Sequence, residues 1–402
     1  MADARAASAE EAKRDVHEAG NVLRDDSTIG GLTTFNIEHG YLEAMLRGFK
    51  SGFLKSYEYR QLCQCETLED VKLCLGDTDY LNVLQNSAKL TPEIILKRCE
   101  DKFVSEYQFL QSQALGPLAT FLDMVTYEEL ISNISFIITS LIKGADPAVL
   151  LQKCLPLGRS PHLKAVMTFD NAESGDGLVE LYRTVLIDTP VAGYFETFFN
   201  SEVKSDQPAR EMQRVYNEVE IDIITNQLQK LWLEDFYHYC TVTLGGETGR
   251  VMGELLEFEA DRRAISITLN SFKTALNEPS NRDSERKKLY CSFGTLYPEA
   301  TLFSFSKVGD EAQLAQALEP YKVFADLYRQ SQDGQAGKSF EDLLYEHEVK
   351  LMRAAFDGQS HFACFYAWTM LKKQELRNIK WILSCINQQR DQKDFNKWIK
   401  TF

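Results

Sequence analysis

Three stretches of the chain share one pattern of apolar positions. They are residues 132–138 (SNISFII), 263–269 (RAISITL) and 377–383 (RNIKWIL). Counted from Ile134 and from Ile379, positions i+3, i+4 and i+7 are all apolar, and counted from Ile265 only position i+3, a threonine, is polar. This spacing places apolar side chains along one face of an α-helix. We therefore predict a core helix at each stretch, with Ile134, Ile265 and Ile379 buried at equivalent positions.

A fainter pattern precedes each stretch, in which an apolar pair four residues apart is followed by an aromatic residue. Such a pair is typical of one helix that ends against its neighbour. The three sets are Val71, Leu75 and Tyr80; Leu163, Met167 and Phe169; and Leu314, Leu318 and Tyr321. Apolar helical stripes are common, so chance recurrence is one interpretation. The repeated order of the two patterns favours the other, a helical unit present in three copies, which suits binding better than catalysis.

Signals for helix starts are frequent, and no run of alternating strands with hairpin turns accompanies them, so the predicted class is all-α. Some starts have the spacing of an N-cap, and others have a cap followed by proline at the first helical position. They are Thr67-x-x-Asp70, Thr126-x-x-Glu129, Thr91-Pro92 and Asp146-Pro147. Polar breaks near residues 201–211, 277–288 and 331–338 are the best candidates for loops.

These boundaries predict a domain organisation. Residues 1–34 contain no aromatic residue and little apolar surface, so we expect a disordered N-terminal extension. Residues 35–145, 146–276 and 277–402 would then form the first, second and third helical bundles, one for each copy of the pattern.

Composition excludes two classes of protein. With 44 basic and 59 acidic residues the net charge is −15, and no basic cluster is present to replace phosphate counterions, which excludes a nucleic-acid-binding protein. The RKK at residues 286–288 is interpreted as a solvated loop. The longest uncharged apolar stretch, residues 130–142, is shorter than the roughly 20 residues that span a bilayer, so we predict no membrane-spanning segment. Nine scattered cysteines without a secretory signal indicate reduced cytosolic thiols.

Candidate chemistry is sparse, and we predict no catalytic, cofactor-binding or metal-binding residue. The segment LGGETGR at residues 244–250 lacks the Lys-Ser/Thr ending of a phosphate loop and is interpreted as a turn between helices. Cys63-x-Cys65 and His361-x-x-Cys364 do not supply the four ligands of a structural zinc, and EHE at residues 346–348 is interpreted as a solvated helix surface. No histidine lies in a nucleophile motif such as GxSxG, although a spatially assembled triad stays open.

Two arginines precede the apolar stretches in a recurring context. Asp261 lies two residues before Arg263, and Glu375 lies two residues before Arg377. One hypothesis is a solvated helix edge. The other is an arginine held by carboxylates where helices cross, with Glu259, Asp261 and Glu375 as the candidate partners. Both hypotheses stay open at the level of sequence.

Seven separated segments, taken together, carry a family resemblance. They are GYLEAMLRGFKSGFL (40–54), CETLEDVKLCLGDTDY (65–80), PLATFLDMVTYEELISN (117–133), LEFEADRRAISITLNSF (256–272), TLYPE (295–299), YEHEVKLMRAAF (345–356) and FYAWTMLKKQELRNIKWILSCI (365–386). In this order they strongly resemble subunit d of the eukaryotic vacuolar-type proton-pumping ATPases. The resemblance runs from about residue 35 to residue 402 and does not cover the first 34 residues.

This resemblance implies an all-helical protein of three similar bundles, arranged with pseudo-threefold symmetry as a cone or funnel. It implies a rotor adaptor without catalytic residues or cofactors, which couples central-shaft subunits D and F to the proteolipid c-ring, with subunit a as a further candidate partner. It also implies a peripheral location on the cytoplasmic face of vacuolar, endosomal or other acidic membranes. The alternatives are a helical-repeat scaffold with another cytosolic partner and, more distantly, a thiol hydrolase.

Overall fold

The computed structural model describes residues 30–84, 90–142, 145–159, 163, 189–202, 221–297, 305–333, 338–390 and 399. These segments are built from helices and their connections, with no strand among them, which confirms the predicted all-α class. Most of the predicted N-terminal extension lies outside the described residues. Its last residues belong to the first helix, which begins at Gly30 rather than after residue 34.

The helices differ widely in length, and the four longest form the framework. The helices of the N-terminal half are α1 (Gly30–Phe49), α2 (Ser56–Leu62), α3 (Leu68–Gly76), α4 (Leu81–Leu84), α5 (Pro92–Gln113), α6 (Pro117–Ile142), α7 (Pro147–Lys153) and α8 (Ala192–Glu202). In the C-terminal half they are α9 (Ile221–His238), α10 (Gly246–Ser271), α11 (Glu311–Leu318), α12 (Lys322–Gln332), α13 (Phe340–Asp357) and α14 (Ala363–Asn387). Helix α14 packs on α13 and α5, α9 packs on α6, and α10 packs on α13.

Three of the four predicted helix starts are confirmed. The Thr67 hydroxyl accepts a hydrogen bond from the backbone N–H of Asp70, whose carboxylate in turn accepts from Thr67, so α3 begins with a capping box. The Thr91 hydroxyl accepts from the N–H of Ile94 at the start of α5, whose first residue is proline. Helix α7 likewise begins at Pro147.

The capping box predicted at Thr126 and Glu129 is wrong, because α6 runs through both residues from Pro117. The Thr126 hydroxyl donates to the carbonyl oxygen of Asp123 within the same helix. A threonine in mid-helix can satisfy its hydroxyl by bonding backwards in this way, so the S/T-x-x-E spacing does not require a helix start. Phe121 and Leu122, which precede the predicted cap, are buried in the core as part of the helix.

The three isoleucines of the recurring pattern lie in the middle or last turns of the long helices α6, α10 and α14. Ile134 and Ile379 are 2% exposed and Ile265 is fully buried. The one polar position of the pattern, Thr268, is also buried. Its hydroxyl donates to the carbonyl oxygen of Ala264 and lies 2.8 Å from the Tyr290 hydroxyl, which removes the cost of placing a polar group there. The equivalence of the three positions under a threefold operation stays a prediction.

Two of the three sets of the other pattern, an apolar pair followed by an aromatic residue, lie entirely within the described residues. Val71, Leu75 and Tyr80 are buried, and so are Leu314 and Leu318. The aromatic residue that follows the last pair, Tyr321, packs against the same core. In the remaining set Leu163 is buried, whereas Met167 and Phe169 lie outside the described residues.

The buried apolar side chains form two clusters of unequal size. The large core takes residues from α1 to α10 and from α13 and α14, so helices assigned to all three predicted bundles contribute to it. The small core joins the C-terminal half of α10 to α11, α12 and the start of α13. The predicted bundle boundaries and the pseudo-threefold funnel stay predictions. No described helix combines the length and the apolar character needed to cross a bilayer.

The RKK segment is helical rather than a loop, and it is solvated at Lys287 and Lys288 but not at Arg286. It lies in consecutive helical turns over residues 282–289, and Arg286 is fully buried. The Arg286 guanidinium donates to the Ser271 hydroxyl at 2.9 Å and to the Val308 carbonyl oxygen at 2.6 Å, and burial lowers its pKa. Backbone carbonyl groups of residues 306–308 therefore accept the hydrogen bonds of the buried guanidinium. The sequence around Arg286 does not reveal these partners.

Candidate functional site

A cleft of about 410 Å³ lies among the long helices, and two of the five charged residues that the sequence singled out, Glu259 and Arg377, line it. Its walls come from α5, α6, α10, α13 and α14, with Gln229 from α9. The lining is mixed, because glutamates and basic residues alternate with apolar side chains such as Phe103 and Met352. The arrangement of these charges decides what the cleft can do.

Glu259 on α10 is the centre of the charged network. It is 4% exposed, and each carboxylate oxygen has its own arginine. Oε1 accepts from Arg263 Nε at 2.6 Å, and Oε2 accepts from Arg262 at 2.6 and 2.9 Å. Burial raises the pKa of Glu259, but the two guanidinium groups outweigh it and hold the pKa below its usual range. Arg263 also binds Glu128 of α6, so the network fastens α10 to α6.

Arg262 extends the network to α13. Its Nε lies 3.7 Å from a carboxylate oxygen of Glu348, and its guanidinium lies 4.7 Å from the centre of the Tyr345 ring. Glu348 is 7% exposed, and burial raises its pKa to about 7 although Arg262 acts in the opposite direction. The interpretation of EHE as a solvated helix surface is therefore wrong for Glu348, because the α13 face that carries it packs against α10.

A second ion pair lines the cleft and joins α14 to α6. Lys373 Nζ on α14 is 2.8 Å from Glu129 Oε1 on α6. The other oxygen of Glu129 accepts from the N–H of Leu157, and Asn133 exchanges two hydrogen bonds with the backbone of Leu155. The connection after α7 is thus held against α6 by side chains one helical turn apart.

The predicted acid–arginine pairs are formed only in part. Arg263 is paired with Glu259, as the second hypothesis proposes, but Asp261 contacts neither arginine: its carboxylate accepts from the N–H groups of Thr295 and Leu296 at 3.1 and 2.8 Å. Burial raises the pKa of Asp261 to about 6. Residues two apart on a helix point to different sides, so an acid at that spacing cannot face its arginine.

The same correction applies to Arg377 and Glu375. Arg377 is exposed, donates to Gln374 and lies 5.0 Å from the centre of the Tyr345 ring. Glu375 points away from the cleft into the core and is fully buried. The prediction that Arg377 pairs with a carboxylate at a helix crossing is therefore wrong, and the solvated helix edge describes it better.

Glu375 instead forms a buried polar cluster with the first part of the chain. Its Oε1 accepts from the Tyr80 hydroxyl at 2.6 Å and from Lys372 Nζ at 2.9 Å, and its Oε2 accepts from the N–H of Leu54 at 2.6 Å. Lys372 is 1% exposed and also lies 3.4 Å from the Gly52 carbonyl oxygen. This cluster joins the last helix to the connection that follows α1.

Sequence reasoning missed Glu128, Arg262, Glu348, Lys373 and Lys372 as partners in these clusters. A signal was present for three contacts: Glu259 lies three and four residues before Arg262 and Arg263, and Lys372 lies three residues before Glu375, spacings that place each pair on one helix face. No local signal exists for Glu128, Glu348 and Lys373, because their partners are distant in the chain; Glu128 and Arg263, for example, are 135 residues apart.

The remaining motifs contribute no chemistry to the cleft. Residues 244–250 form the junction between a π-helical turn (Tyr239–Leu244) and α10, where Gly245 and Gly246 have positive φ angles of 59° and 53°. This agrees with the predicted turn between helices. Among the described residues, no group of three or more histidine, cysteine or acidic side chains could hold a metal ion.

The fold and the cleft together define a class of protein: an all-helical scaffold whose buried charges pair with one another and lock its helices at their crossings. The comparison with protein families is more specific. Residues 42–397 match the model of the ATP synthase (C/AC39) subunit family, and the chain belongs to that family.

Curated relatives match over nearly their full length. The chain is 40% identical over 374 residues to the V-type proton ATPase subunit d of Dictyostelium discoideum, covering 93% of this chain and 98% of that protein. It is 38% identical to subunit d1 of Arabidopsis thaliana, covering 88% and 94%. It is 35% identical to subunit d of Saccharomyces cerevisiae, covering 92% and 99%.

Proposed function

We propose that this chain is a non-catalytic subunit of a vacuolar-type proton-pumping ATPase. In this role it is a rotor adaptor that couples the central shaft, made of subunits D and F, to the proteolipid ring, so that ATP hydrolysis drives proton transport. The observation that carries the proposal is the near-full-length similarity to proteins named V-type proton ATPase subunit d from an amoeba, a plant and a yeast.

The contacts between the helices support a role for the protein in transmitting torque. Such a part has to resist shear between helices, which close packing and paired charges at helix crossings provide. Arg263 and Glu128 connect α10 to α6, and Lys373 and Glu129 connect α14 to α6. Glu375 connects α14 to Leu54, 321 residues away in the chain.

The proposed location is the cytoplasmic face of vacuolar, endosomal or other acidic-compartment membranes, as a peripheral subunit of the membrane complex. A permanent contact of this kind is expected to bury roughly 2,000 Å² or more in total. The ring, subunits D and F and, as a further candidate, subunit a are the proposed partners. Neither a nucleic acid nor a cofactor belongs to the proposal, and the ATP sites are assigned to other subunits.

The environments of Cys99 and Cys364 disfavour a thiol hydrolase that would use either residue. A nucleophilic thiol needs a lowered pKa and access to substrate. Burial instead raises the pKa of Cys99 and that of Cys364 to about 12, and Cys364 donates to the carbonyl oxygen of His361 rather than meeting an imidazole nitrogen. These thiols have the environment of packing residues.

Affinity purification from detergent-solubilised membranes tests the proposal. The tagged chain should recover proteolipid and both shaft subunits in constant proportion, and the isolated chain should neither bind nor hydrolyse ATP. Recovery of a different, soluble set of proteins without proteolipid would replace the rotor adaptor by the helical-repeat scaffold. Turnover of ATP by the isolated chain would contradict the non-catalytic role.

A further inference from the structure

Two cysteines lie side chain to side chain near the start of the fold. The Sγ atoms of Cys65 and Cys74 are 3.5 Å apart. Cys65 lies in the short connection between α2, which ends at Leu62, and α3, which begins at Leu68, whereas Cys74 lies in the last turns of α3. The sequence pattern paired Cys63 with Cys65, as a pair with metal-like spacing, and did not connect either of them with Cys74.

The two thiols differ in access. Eight of the nine cysteines are buried, and Cys74 alone is partly exposed. Cys65 is 7% exposed, and burial raises the pKa of its thiol to about 12, with the nearby Cys74 acting in the same direction. A small oxidant in solution will therefore reach Cys74 first, and Cys65 is placed to react only with what forms on Cys74.

We propose that Cys65 and Cys74 are a redox-active pair, in which Cys74 is the attacking thiol and Cys65 is the resolving thiol. The oxidant is a small-molecule disulfide such as glutathione disulfide. The Cys74 thiolate attacks one sulfur of the oxidant, an S–S bond forms on Cys74, and one thiolate leaves. The Cys65 sulfur, having lost its proton to solvent, then attacks Cys74 Sγ, and the second thiolate leaves. The protein loses two hydrogens in total, and one molecule of oxidant becomes two thiols.

The geometry allows this bond with a small movement. The sulfur atoms must approach from 3.5 Å to about 2.05 Å. Cys65 is outside a helix, and its Sγ gives up only a 3.5 Å contact with the Gln61 carbonyl oxygen. The new bond would fasten the α2–α3 connection to the far end of α3, next to Leu73, an apolar side chain that is 71% exposed. Oxidation would thus restrain a surface that is accessible to partners.

Trypsin separates the two cysteines, which makes the bond directly observable. Cleavage after Arg60, Lys72 and Lys89 places Cys65 in residues 61–72 and Cys74 in residues 73–89. The folded, full-length chain is incubated with glutathione disulfide, quenched with an alkylating agent and digested without reductant. We expect the two peptides to appear linked, with the mass of two fewer hydrogens, and to separate on reduction. Absence of the linked pair while Cys74 accumulates as its glutathione adduct would overturn the proposal.

Three variants assign the roles. Cys65→Ser should abolish the linked pair and leave Cys74 as a stable glutathione adduct, whereas Cys74→Ser should lower modification of Cys65 at least tenfold. Cys63→Ser is the matched control, because Cys63 lies on the same tryptic peptide, and it should leave the linked pair unchanged. If the linked pair persists in Cys65→Ser and disappears in Cys63→Ser, Cys63 rather than Cys65 forms the bond with Cys74, and the proposal is refuted.

Discussion

Replacing Glu375 with glutamine should destabilise the protein by about 3 kcal/mol, because it removes the charge that balances a buried lysine. The side chains of Glu375 and Lys372 are 0% and 2% exposed, so the Lys372 ammonium cannot turn to water when its partner becomes neutral. Breaking a buried ion pair by removing one partner costs about 3–5 kcal/mol. Glutamine keeps the shape and one acceptor oxygen, so the low end of this range applies.

Equilibrium unfolding in urea, followed by far-UV circular dichroism, measures this cost. Glu254→Gln is the matched control: it removes a carboxylate from an ion pair with Arg250 on a helix, but both side chains are more than half exposed. Such surface pairs contribute under about 1 kcal/mol. The double variant Lys372→Met/Glu375→Gln should recover most of the loss, since no charge is then stranded. Equal effects of Glu375→Gln and Glu254→Gln would refute the reasoning.

Three further outcomes are expected. Because the pKa of Glu348 is raised from about 4.5 to about 7 in the folded state, its protonation stabilises the fold below pH 4.5, and this contribution is lost as the pH rises through 7. Glu348→Gln should therefore remove a slope of up to about 1.4 kcal/mol per pH unit in that window, and parallel curves for variant and parent would contradict this. Gly158→Ala should cost about 1–3 kcal/mol in urea unfolding, since the added Cβ would lie 2.5 Å from the Glu129 backbone, and an unchanged midpoint would show that the connection can yield. Arg263→Ala should cost about 3 kcal/mol and Arg377→Ala under about 1 kcal/mol in the same assay, and the reverse order would restore the solvated-edge hypothesis for Arg263.

Local patterns predicted much of the fold, because their physical basis lies within a few residues. The stripes at Ile134, Ile265 and Ile379 identify helices whose apolar face is buried, and the cap at Thr67 depends only on Asp70. The failure at Thr126 has a local origin too, since the same side-chain spacing is compatible with mid-helix bonding.

The clusters of buried charge could not be predicted in this way. Arg286 is charged, and a charged side chain is normally exposed to solvent. Its burial depends on hydrogen bonds to carbonyl groups of residues 306–308. Glu375 could be matched with a nearby arginine on sequence grounds, yet its partners Leu54 and Tyr80 lie 321 and 295 residues away. Which helix face meets which neighbour is a property of tertiary packing, so pairing at a distance requires the structure.

Acidification of vesicles tests the proposal that this chain couples the shaft to the proteolipid ring. Membranes that carry all other pump subunits are depleted of this protein and then resupplied with it, while ATP hydrolysis by the soluble catalytic sector is measured in parallel. Depletion should abolish ATP-driven acidification while the soluble sector still hydrolyses ATP, and resupply should restore pumping. Acidification at the normal rate in depleted membranes would contradict the proposal.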